Sequence, residues 1–143
     1  MDKRTKKALL KSIEHWKENE TVSVREARVS SNSCALCHLF ANRDCIGCPV
    51  HAFTGHKDCA ESPWRNALRA AYVCDQSAFS RAAAAERQFL ESLLPSFTKQ
   101  PAEGRSVWTY KEGRTEICKF FPQETPGLEI IAWKRKILKE MGE

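Results

Sequence analysis

A chain of 143 residues, 42% hydrophobic and 29% charged, has the balance of one compact domain, and this excludes wholesale disorder. No apolar run approaches the roughly 18 residues of a membrane span, and the opening MDKRTKKALLKSIEHWKENE lacks the apolar core of a signal peptide. The expectation is a cytoplasmic protein with reduced thiols, and a formal charge of +5 that permits nucleic acid as a partner without demanding it.

In chain order, residues 3 to 19 are predicted as a helix. Leu9, Ile13 and Trp16 recur at helical spacing, with Leu10 widening the stripe, and Lys3, Lys7 and Lys11 form a basic row at spacing four. That row reads either as a solvated face or as a surface for an anionic partner. Residues 20 to 33 look like a linker. Residues 34 to 59 are too short and too polar to build an apolar core and need a staple. A helix follows, capped by Ser62 with Pro63 at its first position, its apolar face running Trp64, Ala67, Leu68, Ala71, Tyr72, with Arg65 and Arg69 opposite. Asp75 or Ser77 caps a third helix that ends at Pro95. Its apolar face uses Phe79, Ala82, Phe89, Leu90, Leu93 and Leu94. Residues 96 to 106 read as a loop, and VWTYKEGRTEICKFF, 107 to 121, as a β-hairpin turning at Gly113. Leu128 to Met141 reads as a final helix with Lys134, Arg135, Lys136 and Lys139 outermost, or as a strand in its first part. No internal repeat is visible. The fold class expected is α+β, mainly helical: one domain over residues 1–143, with a zinc-stapled loop module at 34–59 between helices and a C-terminal β-hairpin and helix.

Five of the seven cysteines fall in that module: Cys34, Cys37, Cys45, Cys48 and Cys59. Two Cys-x2-Cys pairs place four thiolates for one tetrahedral Zn²⁺. Such a site would lower the net charge by two, to about +3. Cys59 is a fifth candidate, so one of the five is spare, or a second metal draws on His38, His51 or His56. An iron–sulfur cluster is the alternative, since Cys48-Pro49 matches the end of ferredoxin motifs, but the closely spaced triple-cysteine run is absent. Redox catalysis by a Cys-x2-Cys pair calls for a βαβ setting not seen here. Cys74 and Cys118 lie inside apparent elements and read as small buried hydrophobes. His15, beside Trp16, reads as structural.

CALCHLF, DCIGCPV, TGHKDC and SPW, preceded by a Lys-rich helix ending in Trp and followed by AAERQFLESLLP, resemble a family of small cysteine-rich phage and prophage proteins over about residues 5 to 95. The resemblance implies a phage setting, and by analogy a protein that disables host machinery such as a CRISPR–Cas defence. On the residues themselves, no HExxH, phosphate-cradling glycine loop or GxSxG is present, and a fully thiolate-ligated metal is structural. The first expectation is therefore a non-enzymatic protein that binds a host protein through Lys3, Lys7, Lys11, Arg65 and Arg69. A nucleic-acid binder is the second, with Trp108 and Tyr110 stacking on bases if exposed and otherwise lying in the core. A metal-dependent nuclease using His51 and His56 is the third.

Overall fold

The computed structural model describes all residues, Met1–Glu143. The order is α1 (Lys3–Asn19), α2 (Ala35–Phe40), α3 (Pro49–Thr54), α4 (Trp64–Tyr72), α5 (Gln76–Ser92), β1 (Ser96–Ala102), β2 (Arg105–Glu112), β3 (Thr115–Pro122) and α6 (Gly127–Glu140), with single 3-10 turns at Ser31–Ser33 and Ala41–Arg43. The class is α+β, mainly helical, with one three-stranded antiparallel sheet. No helix is long and apolar enough to cross a membrane. Where the sequence suggests one domain, the chain divides into two compact units: Arg4–Leu93, and Leu94–Glu143 together with Met1–Lys3.

In the first unit, α1 buries Ala8, Leu9, Ser12, Ile13 and Trp16, one stripe of a 3.6-residue period. Leu10 falls outside the stripe and is exposed, contrary to expectation. The segment between α1 and α2 is irregular but anchored. The Asn19 side chain brackets Arg28, accepting from its amide at 3.4 Å and donating to its carbonyl at 3.1 Å. The Trp64 indole donates to the Val29 carbonyl at 2.7 Å, and Gln76 Oε1 accepts from the Val24 amide at 2.7 Å. These side chains satisfy backbone groups that no helix or sheet would.

The α4–α5 turn is tight. The amides of Cys74 and Asp75 return to the carbonyls of Ala71 and Ala70, with Cys74 left-handed at φ 53°. This is the double bond of a Schellman motif, with a cysteine where glycine is usual. Asp75 at once caps α5, accepting from the Ala78 amide at 2.9 Å. Cys74 is therefore an exposed turn residue rather than a buried one, and Tyr72, the last residue of α4, is 88% exposed instead of belonging to the apolar face.

In the second unit, 96–102 forms a strand and not a loop. It pairs with β2 from Ser96↔Lys111 to Ala102↔Arg105. Pro101 is tolerated because β1 is an edge strand. The β2–β3 hairpin turns at Gly113 and Arg114, with Gly113 at φ 56°, the positive value the first turn position requires. On one sheet face Tyr110 and Phe121 join Trp133 and Ile137 of α6 in a core flanked by Phe97, Trp108 and Ile117. Trp133 meets the Phe97 and Phe121 rings edge-on, with centroids 5.8 and 5.7 Å apart. The Tyr110 hydroxyl donates to Glu112. Burial and that carboxylate push the phenol pKa up. Leu128 and the residues after it to Glu140 are helical, so the strand alternative fails there. Cys118 lies on the other sheet face, exposed rather than buried, 3.3 Å from the Thr109 hydroxyl.

Candidate metal centre

Residues 34–59 build two short helices and two turns, and each of these places cysteines. Cys34 precedes α2 in extended conformation and Cys37 lies in its first turn. Cys48 precedes α3, whose first residue is Pro49. Leu36 and Val50 are almost fully buried, so the segment does contribute two apolar anchors to the core. Phe53 of α3 meets Phe89 of α5 edge-on at 5.5 Å. Gly47 has φ 90°, and a Cβ there would come within 3.2 Å of the Phe40 ring.

The turns that carry Cys45 and Cys59 share a sequence pattern and the conformation of their Asp-Cys step. Asp44-Cys45-Ile46-Gly47-Cys48-Pro49 aligns with Asp58-Cys59-Ala60-Glu61-Ser62-Pro63. All four residues of the two Asp-Cys steps are left-handed, with φ 54°, 62°, 58° and 53°. The Cys48 amide returns to the Cys45 carbonyl at 3.0 Å, and the Ser62 amide to the Cys59 carbonyl at 3.1 Å. Cys48 and Ser62 are each 6% exposed, and each leads into a helix through proline. The second copy has serine where the first has its second cysteine. Pattern reading by cysteine spacing alone missed this repeat, although the shared Asp-Cys-x-x-(Cys/Ser)-Pro string was its signal.

All five cysteines line one cavity of about 570 Å³ within the Arg4–Leu93 unit, together with Trp16, Trp64 and Glu86. Their side chains are not closed around a common point as a metal-binding group of three or more. His38, His51 and His56 do not line the cavity. The His38 ring bonds the Asn32 carbonyl at 2.8 Å.

The thiols influence one another. Hydrogen bonding from the neighbouring Cys37 thiol lowers the Cys34 pKa against the opposing effect of burial. The same bond raises Cys37, with burial and the neighbouring sulfur charges adding to it. Burial raises Cys48, opposed by the amides of His51 and Val50. Burial, then the charges of Cys34 and Glu86, push Cys59 up to about 12. Ser12 Oγ of α1 lies 3.7 Å from the Cys34 sulfur.

Glu86 was not singled out from sequence. It sits on the buried stripe of α5 with Phe79, Ala82, Ala83 and Leu90, and is 3% exposed. Its carboxylate accepts from the Trp64 amide at 2.9 Å, at the start of α4, and from the Ser62 hydroxyl. Burial raises its pKa to about 7, against those two bonds. The legible signal was a carboxylate in register with an apolar helix face.

The basic residues expected to meet a partner stand elsewhere. Lys3, Lys7 and Lys11 are exposed on α1, and Arg65 and Arg69 on α4, and none of them lines the cavity. Tyr110 is fully buried and Trp108 half-buried, so Tyr110 is a core residue, as one reading of the sequence had it. No protein-family model, curated protein or solved structure matches this chain.

Proposed function

We propose that residues 34–59 bind one Zn²⁺ through four of Cys34, Cys37, Cys45, Cys48 and Cys59. In this reading the protein is a non-enzymatic phage accessory protein that binds and modulates a host protein, a defence system such as CRISPR–Cas included. The observation that carries the metal reading is the convergence of five thiols, from three separated stretches, on one cavity. Thiolate donors suit zinc, and an all-sulfur set leaves no open position for catalysis. When bound, the ion would supply the ordering free energy that two six-residue helices and four left-handed turn residues cannot supply themselves. An iron–sulfur cluster would draw on the same sulfurs, and visible absorption separates the two.

The phage setting rests on the resemblance of residues 5 to 95. The partner-binding residues proposed are the exposed Lys3, Lys7 and Lys11 of α1 and Arg65 and Arg69 of α4. Nucleic-acid binding is the second reading, with base stacking reduced by the burial of Tyr110.

The test couples elemental analysis to capture from host extract. One zinc per chain, and a host protein lost on Arg65→Glu with Arg69→Glu while zinc is retained, support the reading. Stoichiometric iron with visible colour, or capture unchanged by both the arginine variant and Cys34→Ala with Cys37→Ala, overturns it.

A further inference from the structure

The α6 side of the sheet carries a row that the core does not need. Lys99 of β1, Trp108 of β2 and Lys119 of β3 are direct cross-strand partners, Lys99↔Trp108 and Trp108↔Lys119. Lys134 of α6 is brought onto the same row. Its ammonium lies 3.7 Å from the Trp108 ring centroid and 5.3 Å from that of Phe97. The Lys99 ammonium lies 6.0 Å from the Trp108 centroid, and that of Lys119 lies 4.9 Å from the Phe121 ring. Lys134 was expected on the outer face of its helix, and the aromatic sheet face holds it instead.

Two ammonium groups thus lie at one indole and a third, that of Lys119, at the neighbouring Phe121 ring, and none of them forms an ion pair with a carboxylate. The one carboxylate of β2 on this face, Glu112, is taken by the Tyr110 hydroxyl and the Met1 amino group. The Trp108 Nε1–H is buried and has no hydrogen-bond partner. A buried donor without an acceptor is costly, and like charges held together without a counter-charge repel. Lysine and indole N–H are donors only. The cluster therefore offers four donor groups and no acceptor, so the group that completes it presents acceptors alone and negative charge. A phosphate-type oxyanion meets both demands. A carboxylate meets them too and is the control below, whereas an uncharged base or sugar hydroxyl lacks the charge.

We propose that Lys99, Lys119, Lys134 and the Trp108 indole N–H form a binding site for a phosphate group on the Leu94–Glu143 unit. This assignment is independent of the zinc reading. The phosphate can belong to a small molecule or to a nucleic-acid backbone. Access of an oxygen to Nε1 requires side chains around the indole to move, that of Lys134 over its ring among them.

The Trp108 indole N–H is itself the reporter. The full-length ¹⁵N-labelled protein is titrated at constant ionic strength with pyrophosphate, with a short deoxythymidine oligonucleotide and, as a carboxylate control, with citrate. The Trp108→Phe variant assigns the resonance. Pyrophosphate is expected to shift the Trp108 indole saturably and to leave those of Trp16, Trp64 and Trp133 in place. Lys99→Gln with Lys134→Gln should weaken that binding about tenfold. Tighter binding of the oligonucleotide at the same resonance identifies a nucleic-acid backbone as the source, and a response to pyrophosphate alone identifies a small phosphate. An indole unmoved by either phosphate ligand, or moved equally by citrate, overturns the proposal. If the double variant loses its dispersed amide spectrum, Lys119→Gln and the pyrophosphate-against-citrate selectivity of the unaltered protein decide the matter.

Discussion

The two units hold themselves together by different means. The Leu94–Glu143 unit relies on large rings: Phe97, Tyr110, Phe121 and Trp133 pack on a regular sheet whose backbone groups are paired strand to strand. The Arg4–Leu93 unit combines a helical core around Leu9, Trp16, Phe79 and Leu90 with a cysteine segment of short helices and left-handed turns. In the sheet unit, apolar area and hydrogen bonding stabilise the same residues. In the cysteine segment they are separated. Leu36 and Val50 are buried, but Asp44, Cys45, Asp58 and Cys59 adopt conformations that L residues disfavour. A small region can hold such backbone only when something outside local propensity over-determines it, and the proposed metal fills that role.

The largest expected effect breaks the comparison from the metal side. Zinc bound by such a segment supplies on the order of 10 kcal/mol at neutral pH. A chelator should remove hydrogen-exchange protection from α2 and α3 while β1–β3 keep theirs. Equal loss in both units would show that the sheet unit depends on the metal too. The reverse experiment is Trp133→Ala, which deletes the ring between Phe97 and Phe121. It should cost the sheet unit about 3–5 kcal/mol, read by denaturant unfolding, with zinc content unchanged.

Glu86 sharpens the contrast, because it is a buried carboxylate beside thiols. Its pKa is raised from 4.5 to about 7, so the folded state keeps a proton that the unfolded chain releases. Below 4.5 both states are protonated and nothing is gained or lost. As pH rises from there to about 7 stability falls, by about 3 kcal/mol if the whole shift is realised. Glu86→Gln should remove that slope, so its melting temperature should exceed the parent's above pH 7 and converge with it in acid. A parallel pH dependence in both proteins would show that Glu86 is not the group responsible. The smallest effects lie at the α4–α5 turn. Asp75→Ala loses a cap worth about 1 kcal/mol. Cys74→Gly relieves the left-handed cysteine and should stabilise by up to about 1 kcal/mol. Cys74→Gly should also leave zinc content intact, since Cys74 is exposed at a turn and does not line the cysteine cavity.

Much of the helical framework was legible. Leu9, Ile13 and Trp16 marked α1, Asp75 marked the start of α5, and Gly113 marked the hairpin, because spacing, capping and turn chemistry act over a few residues. The misreadings have local causes. β1 passed for a loop because Ser96–Ala102 contains Pro101 and mostly polar side chains, and its strand character comes from pairing with β2. Leu10 and Tyr72 were assigned to buried faces because periodicity gives the direction of a stripe, not its width or where packing ends. Cys74 and Cys118 read as core from sequence because their neighbours match element patterns. In the candidate metal centre the five cysteines were readable as a set. Their spacing concealed the doubled Asp-Cys turn, because Ser62 replaces the fourth member of its second copy.

By itself, the sequence determined the element types over most of the chain, the clustering of thiols in one segment and the basic faces of α1 and α4. These depend on contacts between residues close in the chain. Only the tertiary structure decided that five sulfurs share one cavity and that Glu86 of α5 reaches the start of α4. It alone laid Lys134 of α6 across the indole of Trp108. Each of these joins residues far apart in the chain, and such contacts form only when closure of the intervening loop is offset by burial elsewhere. No local pattern of apolar spacing or capping encodes that balance.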